Sequence, residues 1–171
     1  MAKIKHTHAE PELIDLKECS NSQFKKMLHL NNHFARETSG LFTTKFEKMI
    51  EQSFAAIAIA PEIAMLIAFD QDADYDNPNF KFFKSKFDDF IYIDRVIVAK
   101  AEQGKGIASA LYDILFEMAQ EAGQTNIVCE VNTLPANEAS FAFHDALGFE
   151  QIGEAVLDNG LREVAYLHLE L

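Results

Sequence analysis

The chain has little cysteine, little positive charge and no long apolar run. Its two cysteines, Cys19 and Cys129, are too few for a disulfide framework and lack metal-ligand spacing. Cys19 falls near an expected helix start and Cys129 inside an expected strand, so both read as reduced, packed thiols. Lysine and arginine number 15 against 27 aspartate and glutamate, for a formal charge of −12. That balance argues against nucleic acid, whose phosphates the surface would repel. There is no run of about 18 apolar residues, so no membrane span is expected. The opening MAKIKHTHAEPE lacks the apolar core of a signal peptide. A cytoplasmic location is the resulting expectation. His6 and His8 lie in residues 1–10, which read as a mobile tail and not as a metal site. Single-domain length is expected for 171 residues with 49% hydrophobic composition, and no internal repeat or linker divides residues 1–171.

What the chain does have is concentrated between Ile91 and Gly123. Ile91 to Val98 is an almost continuous apolar run, the pattern of a strand buried on both faces. Gln103-Gly104-Lys105-Gly106 interrupts it. From Ile107 onward Leu111, Ile114, Leu115, Met118 and Ala122 recur at helical spacing, and Gly123 is placed to cap the end. At such a strand-turn-helix the first helical N–H groups have no partner within the helix. With two glycines letting a ligand approach, the turn is suited to a phosphate.

Two nucleotide motifs fail here. Lys105 is followed by Gly106 and not by the Ser or Thr of a Walker loop, and Ser109 stands where the dinucleotide fingerprint needs its third glycine. The pattern that does fit is Gln103, Gly106 and Ala108 as Q-x-x-G-x-A directly after a hydrophobic strand. A second block follows: Asn137, Ser140, His144, Gly148 and Phe149, against N-x-x-A/S-x-x-x-Y-x-x-x-G-F. In order and separation the two blocks resemble the GNAT superfamily of N-acetyltransferases. They cover about the C-terminal half; the N-terminal half is similar only in its order of elements.

The resemblance implies an α/β fold with a mixed central sheet of about seven strands flanked by about four helices. It implies acetyl-CoA as co-substrate, no metal, and transfer to a primary amine of a small molecule or peptide. The backbone of Val96, Ile97 and Val98 would run along the pantetheine arm, with an N–H there, that of Val98, polarising the thioester carbonyl. Gly104, Lys105, Gly106, Ile107, Ala108 and Ser109 would hold the pyrophosphate, with Lys105 and Lys100 offsetting the acidic surface. Asn137 would meet the cofactor near its reactive end, or cap a helix, or both. A free amine has a pKa of about 10, so a base is needed. Glu130 resembles the glutamate of the branch that acetylates protein N-termini, although two extra residues before Asn137 could turn it away; Asp94 is the competing carboxylate. His144 stands where the family has tyrosine: it could be the acid, could bind CoA, or could be a packed helix histidine. Tyr92 and Tyr112 are possible substitutes. That departure keeps a non-catalytic acyl-CoA-binding module open as the alternative function, and a purely structural α/β domain as a third.

The rest of the chain yields structure more than chemistry. Glu12–Lys17 reads as a strand, a helix capped by Ser20 or Ser22 runs to about Arg36, and another spans about Thr43 to Gln52. The linker 37–42 would lie near the acceptor. Phe54–Ala60 and Ile63–Asp70 read as a hairpin. Asp70, Asp72, Asp74 and Asp76 imitate an EF-hand loop, but Tyr75 and Lys81 occupy its glycine and closing-glutamate positions. Asn77–Phe87 alternates phenylalanine and lysine, as a helix covering the sheet or as a lid over the acceptor. Thr125–Val131 is a further strand, Asn137–Leu147 a helix, and Phe149–Leu157 with Arg162–Leu169 a hairpin turned at Asp158-Asn159-Gly160. The last strand could pair across a homodimer.

Overall fold

In the computed structural model, which describes residues 11–171 except the side chains of residues 36 and 37, seven strands form one sheet in the order β1-β2-β3-β4-β5-β7-β6. They are β1 Glu12–Asp15, β2 Ala55–Ala60, β3 Ala64–Asp70, β4 Ile91–Val98, β5 Asn126–Leu134, β6 Glu150–Leu157 and β7 Arg162–Glu170. Every pairing is antiparallel except that of β4 with β5. The sheet is therefore mixed and of the expected size.

Six helices are described: α1 Asn21–His33, the single turn α2 Ala35–Thr38, α3 Thr43–Gln52, α4 Pro78–Lys84, α5 Ile107–Glu121 and α6 Glu138–Ala146. That is two more than the sequence suggested. The expected first helix stops at His33, three residues short of Arg36, because Phe34 leaves helical geometry; α2 follows as a separate turn. Ser20 caps α1 in a reciprocal capping box with Gln23. The tail at residues 1–10 lies outside the described residues.

Two apolar layers sandwich the sheet. Met27, Leu30, Phe46, Met49, Phe80 and Phe83 from α1, α3 and α4 pack on one face. Leu111, Leu115 and Ala119 of α5, with Phe141 and Phe143 of α6, pack on the other. This explains the apolar character of β3 and of Ile91–Ile93 in β4: both faces are covered. The segment 77–87 accordingly forms part of the core, with Phe80 and Phe83 essentially unexposed. Asn77 caps α4 and Pro78 opens it, the arrangement a helix start favours.

Three departures from regularity position the site. β4 and β5 pair only at Ile91 with Ile127 and Tyr92 with Val128, then separate, leaving a notch between Val96–Val98 and the middle of β5. In β4 the register passes from Ile93 opposite Ala68 to Arg95 opposite Ile67, leaving Asp94 as an extra residue. This bulge turns Asp94 and Arg95 to the same side of the sheet. In β5 a second irregularity falls between Asn132 and Leu134, beyond Glu130, so it absorbs the extra residues without rotating Glu130. Finally, β7 lies between β5 and β6. The last strand therefore has both edges occupied and cannot pair across a dimer; β1 and β6 are the sheet's edges.

Candidate active site

Two clefts open beside the notch and meet there. The larger, about 560 Å³, has Val96, Ile97 and Val98 as one wall and Gln103, Gly104, Gly106, Ile107, Ala108 and Ser109 as another, with Asn137 at its rim. The smaller, about 230 Å³, contains Asp94, Glu130 and Tyr112. Thr38, Val96, Asn137, Ser140 and His144 line both.

The larger cleft is built from backbone. The amide of Ala99 donates to Ile63, just before β3, so by strand alternation the amides and carbonyls of Val96 and Val98 point into the notch while those of Ile97 face β3. The carbonyl of Val98 accepts from Gln103 Nε2 at 3.1 Å, tying the turn to the strand. Gly104 and Gly106 have φ of +76° and +79°, left-handed values that a side chain disfavours. No side chain caps α5; its first turn leaves the N–H groups of Ile107, Ala108 and Ser109 without helical partners at the cleft wall. Lys105 does not line the cleft. Its ammonium pairs with Glu102 at 2.9 Å on the surface, because a side chain following a left-handed glycine is thrown outward. Lys100 lies in the 3-10 turn Lys100–Glu102 and is not on the wall either.

Glu130 is the centre of the smaller cleft. Its Oε1 accepts from Asn79 Nδ2 at 2.8 Å and from the Tyr92 hydroxyl at 3.0 Å. Asn79 is held in turn by the Tyr166 hydroxyl, 3.0 Å from its Oδ1. The other oxygen, Oε2, is buried without a partner among the described residues. Burial, reinforced by the charge of Asp94, pushes the Glu130 carboxyl up to about 7, against the opposing hydrogen bonds of Tyr92 and Asn79. Asp94 has no such freedom. One oxygen accepts from the Tyr75 hydroxyl and the other from Arg95 Nε at 2.7 Å, and Arg95 continues to Asn31 Oδ1 at 2.6 Å. Arg95 is itself buried. Removing either partner of this pair would strand a buried charge.

His144, at 3% exposure, is buried at the junction of the clefts. Its Nδ1 lies 2.7 Å from the Ser140 carbonyl and its Nε2 2.9 Å from the Tyr112 hydroxyl. A carbonyl only accepts, so Nδ1 carries the hydrogen and Nε2 accepts from Tyr112. Burial also lowers the pKa of the ring, and His144 is neutral with both nitrogens engaged. Asn137 caps α6, its side chain accepting from the Ser140 amide at 3.2 Å, and it also lines both clefts.

Asn79, Tyr75 and Arg95 join the site without having been read as site residues from the sequence. Asn77-Pro78 does announce the helix that carries Asn79, but which residue of that helix faces Glu130 depends on packing. The alternating aspartates form a loop in which Asp76 pairs with Lys81. Among the described residues no group of three or more His, Cys, Asp or Glu is placed to hold a metal, and no helix is long and apolar enough to cross a membrane.

The model of the acetyltransferase (GNAT) family matches residues 63–149, and the chain belongs to that family. By class it is an N-acetyltransferase. The fold is similar to that of a chain of the NatC complex bound to Gag peptide and CoA, with TM-score 0.74 and 16% identity over 95% of this chain and 99% of that one. It is also similar to Arabidopsis thaliana NAA60 in complex with acetyl-CoA, with TM-score 0.70 and 12% identity over 94% and 98%. An aminoglycoside 6'-N-acetyltransferase complexed with coenzyme A gives TM-score 0.68 and 11% identity over 93% and 96%. No curated protein sequence matches the chain.

Proposed function

We propose that the chain transfers the acetyl group of acetyl-CoA to a primary amine by direct attack on the thioester, with Glu130 as the base. The observation that carries this reading is the Glu130 carboxyl: raised to about 7, with one oxygen unpartnered, in the cleft that joins the larger one. A base with that value accepts a proton efficiently near neutral pH. The co-substrate is acetyl-CoA, a reading supported by the family and by neighbours that hold CoA or acetyl-CoA.

The pyrophosphate is held by the N–H groups of the turn 104–109 and the start of α5. Backbone does this work, which suits a wall that carries no cationic side chain. The pantetheine arm follows the notch along Val96 and Val98, and the Val98 N–H stabilises the oxyanion that develops on the thioester carbonyl. The ammonium form of the acceptor gives its proton to Glu130 directly or through one water. The amine nitrogen then bonds to the acetyl carbon as the carbon–sulfur bond breaks. The electron pair leaves on the thiolate; the second proton, shed by the nitrogen as it becomes a neutral amide, passes through water to that thiolate, and Glu130 returns its own proton to solvent.

Asp94 acts through its charge and not as a second base, because both oxygens are committed. His144 orients Tyr112 at the junction instead of donating a proton, its nitrogens being engaged. Glu130→Gln preserves an acceptor for Tyr92 and Asn79 while removing the base. It should lower kcat/KM by about 10²-fold or more with acetyl-CoA affinity, measured by calorimetry, unchanged. Gly106→Glu should abolish that affinity, by placing a carboxylate and a strained left-handed side chain at the phosphate position. Retained binding in Gly106→Glu would refute the phosphate assignment, and full activity in Glu130→Gln would remove Glu130 as the base.

A further inference from the structure

The acceptor cleft carries charge of two kinds, sorted by depth. At its floor are Glu130, with its buried unpartnered oxygen, and the Asp94–Arg95 pair. The cleft is also lined by Lys45, which is exposed on α3, and by Arg162, the first residue of β7, whose side chain is 39% exposed. These two cations therefore sit towards solvent, at the mouth.

The two differ in their pairing. Lys45 has no carboxylate within ion-pair distance among the described residues. Arg162 Nε lies 3.2 Å from Asp158 Oδ2 but makes no hydrogen bond. Its guanidinium donors remain suited to a planar anion such as a carboxylate. The lining thus holds Lys45, Arg95 and Arg162 with Asp94 and Glu130, Asp158 standing beside Arg162, in a chain whose formal charge is −12. Two of these cations, Lys45 and Arg162, are placed at one small cleft although the chain as a whole is acidic. Its volume of about 230 Å³ is below the range of roughly 300–1,000 Å³ typical of drug-sized ligands.

Resting on the transfer reading above, we infer that the acceptor is a compact zwitterion: an amine presented to Glu130 with a carboxylate a few bonds away, held by Arg162 and Lys45. Free amino acids are the simplest members of that class. A polyamine or aminoglycoside would instead set positive charge against both cations, and a peptide N-terminus would offer them an uncharged carbonyl.

The test is an acetylation panel on the full chain with acetyl-CoA: free L-amino acids, the same amino acids as α-amides, short peptides and spermidine. The wild type is expected to favour acids over their amides by about tenfold or more in kcat/KM, through KM, the scale of a charge-assisted contact. In Arg162→Gln that ratio should fall below about threefold. Lys45→Gln, at an exposed helical position, should lower the same ratio and serves if Arg162→Gln does not fold. Equal or better use of amides, peptides or spermidine overturns the inference alone, as does a ratio unchanged in the variants. Acetyl-CoA binding without turnover of any amine overturns the transferase reading and this inference with it.

Discussion

In the proposed role of base, Glu130 would serve chemistry at the expense of the fold. Its carboxyl is raised from 4.5 to about 7, so the folded chain holds a proton that the unfolded chain releases. Between those values the native state binds more protons than the unfolded one, and stability falls as pH rises. The contribution is complete below about 4.5 and lost above about 7. Glutamine is neutral throughout and escapes this loss. Glu130→Gln should therefore be the more stable protein at pH 8, by about 1–3 kcal/mol, and equal to the parent near pH 4. Paired thermal melts at the two pH values check this. For activity the sign is opposite: the base must be deprotonated, so kcat/KM should rise with pH through about 7.

Among the elements, α4 is the helix covering the sheet that the sequence offered as one of two readings, and it also carries a partner of Glu130. Its phenylalanines bury against the sheet and its asparagine reaches the carboxylate, so cover and site are one helix. Phe82 stacks on Tyr166 with ring centres 3.8 Å apart, on the same tyrosine that holds Asn79. Asn79→Ala removes a hydrogen bond that lowers the Glu130 pKa. The acidic limb of the pH–rate profile should move to higher pH, while acetyl-CoA affinity stays the same. An unmoved limb would separate α4 from the chemistry. The bulge in β4 has a comparable effect, since regular alternation would have sent Asp94 and Arg95 to opposite faces.

Across the molecule, the charge of −12 sets a general repulsion for an anionic cofactor. Because the wall of the larger cleft relies on backbone donors and Lys105 is spent on Glu102, little side-chain charge opposes that field locally. Added salt screens the repulsion. The association rate of acetyl-CoA, followed by stopped-flow, should increase between low and physiological ionic strength; a decrease would mean that a cationic patch governs encounter.

Short-range chemistry was legible in the chain itself. Glycines at 104 and 106, the helical period after Ile107, the Asn137 cap and the Asp-Asn-Gly turn depend on backbone angles and on residues a few positions apart. They could be read in order, and the larger cleft with them. Glu130 and Asp94 were visible as carboxylates on strands, but nothing local separated them. The difference arises because Tyr75 and Arg95, the latter itself held by Asn31, claim Asp94, whereas Glu130 meets hydrogen bonds on one oxygen only. Lys105 looked available and is bound to Glu102; Asn79 and Arg162 looked unremarkable and line the smaller cleft. Those outcomes depend on groups up to 87 positions apart, as Tyr166 and Asn79 are. Such distant partners, and the desolvation they impose, exist only once the sheet has closed its two faces.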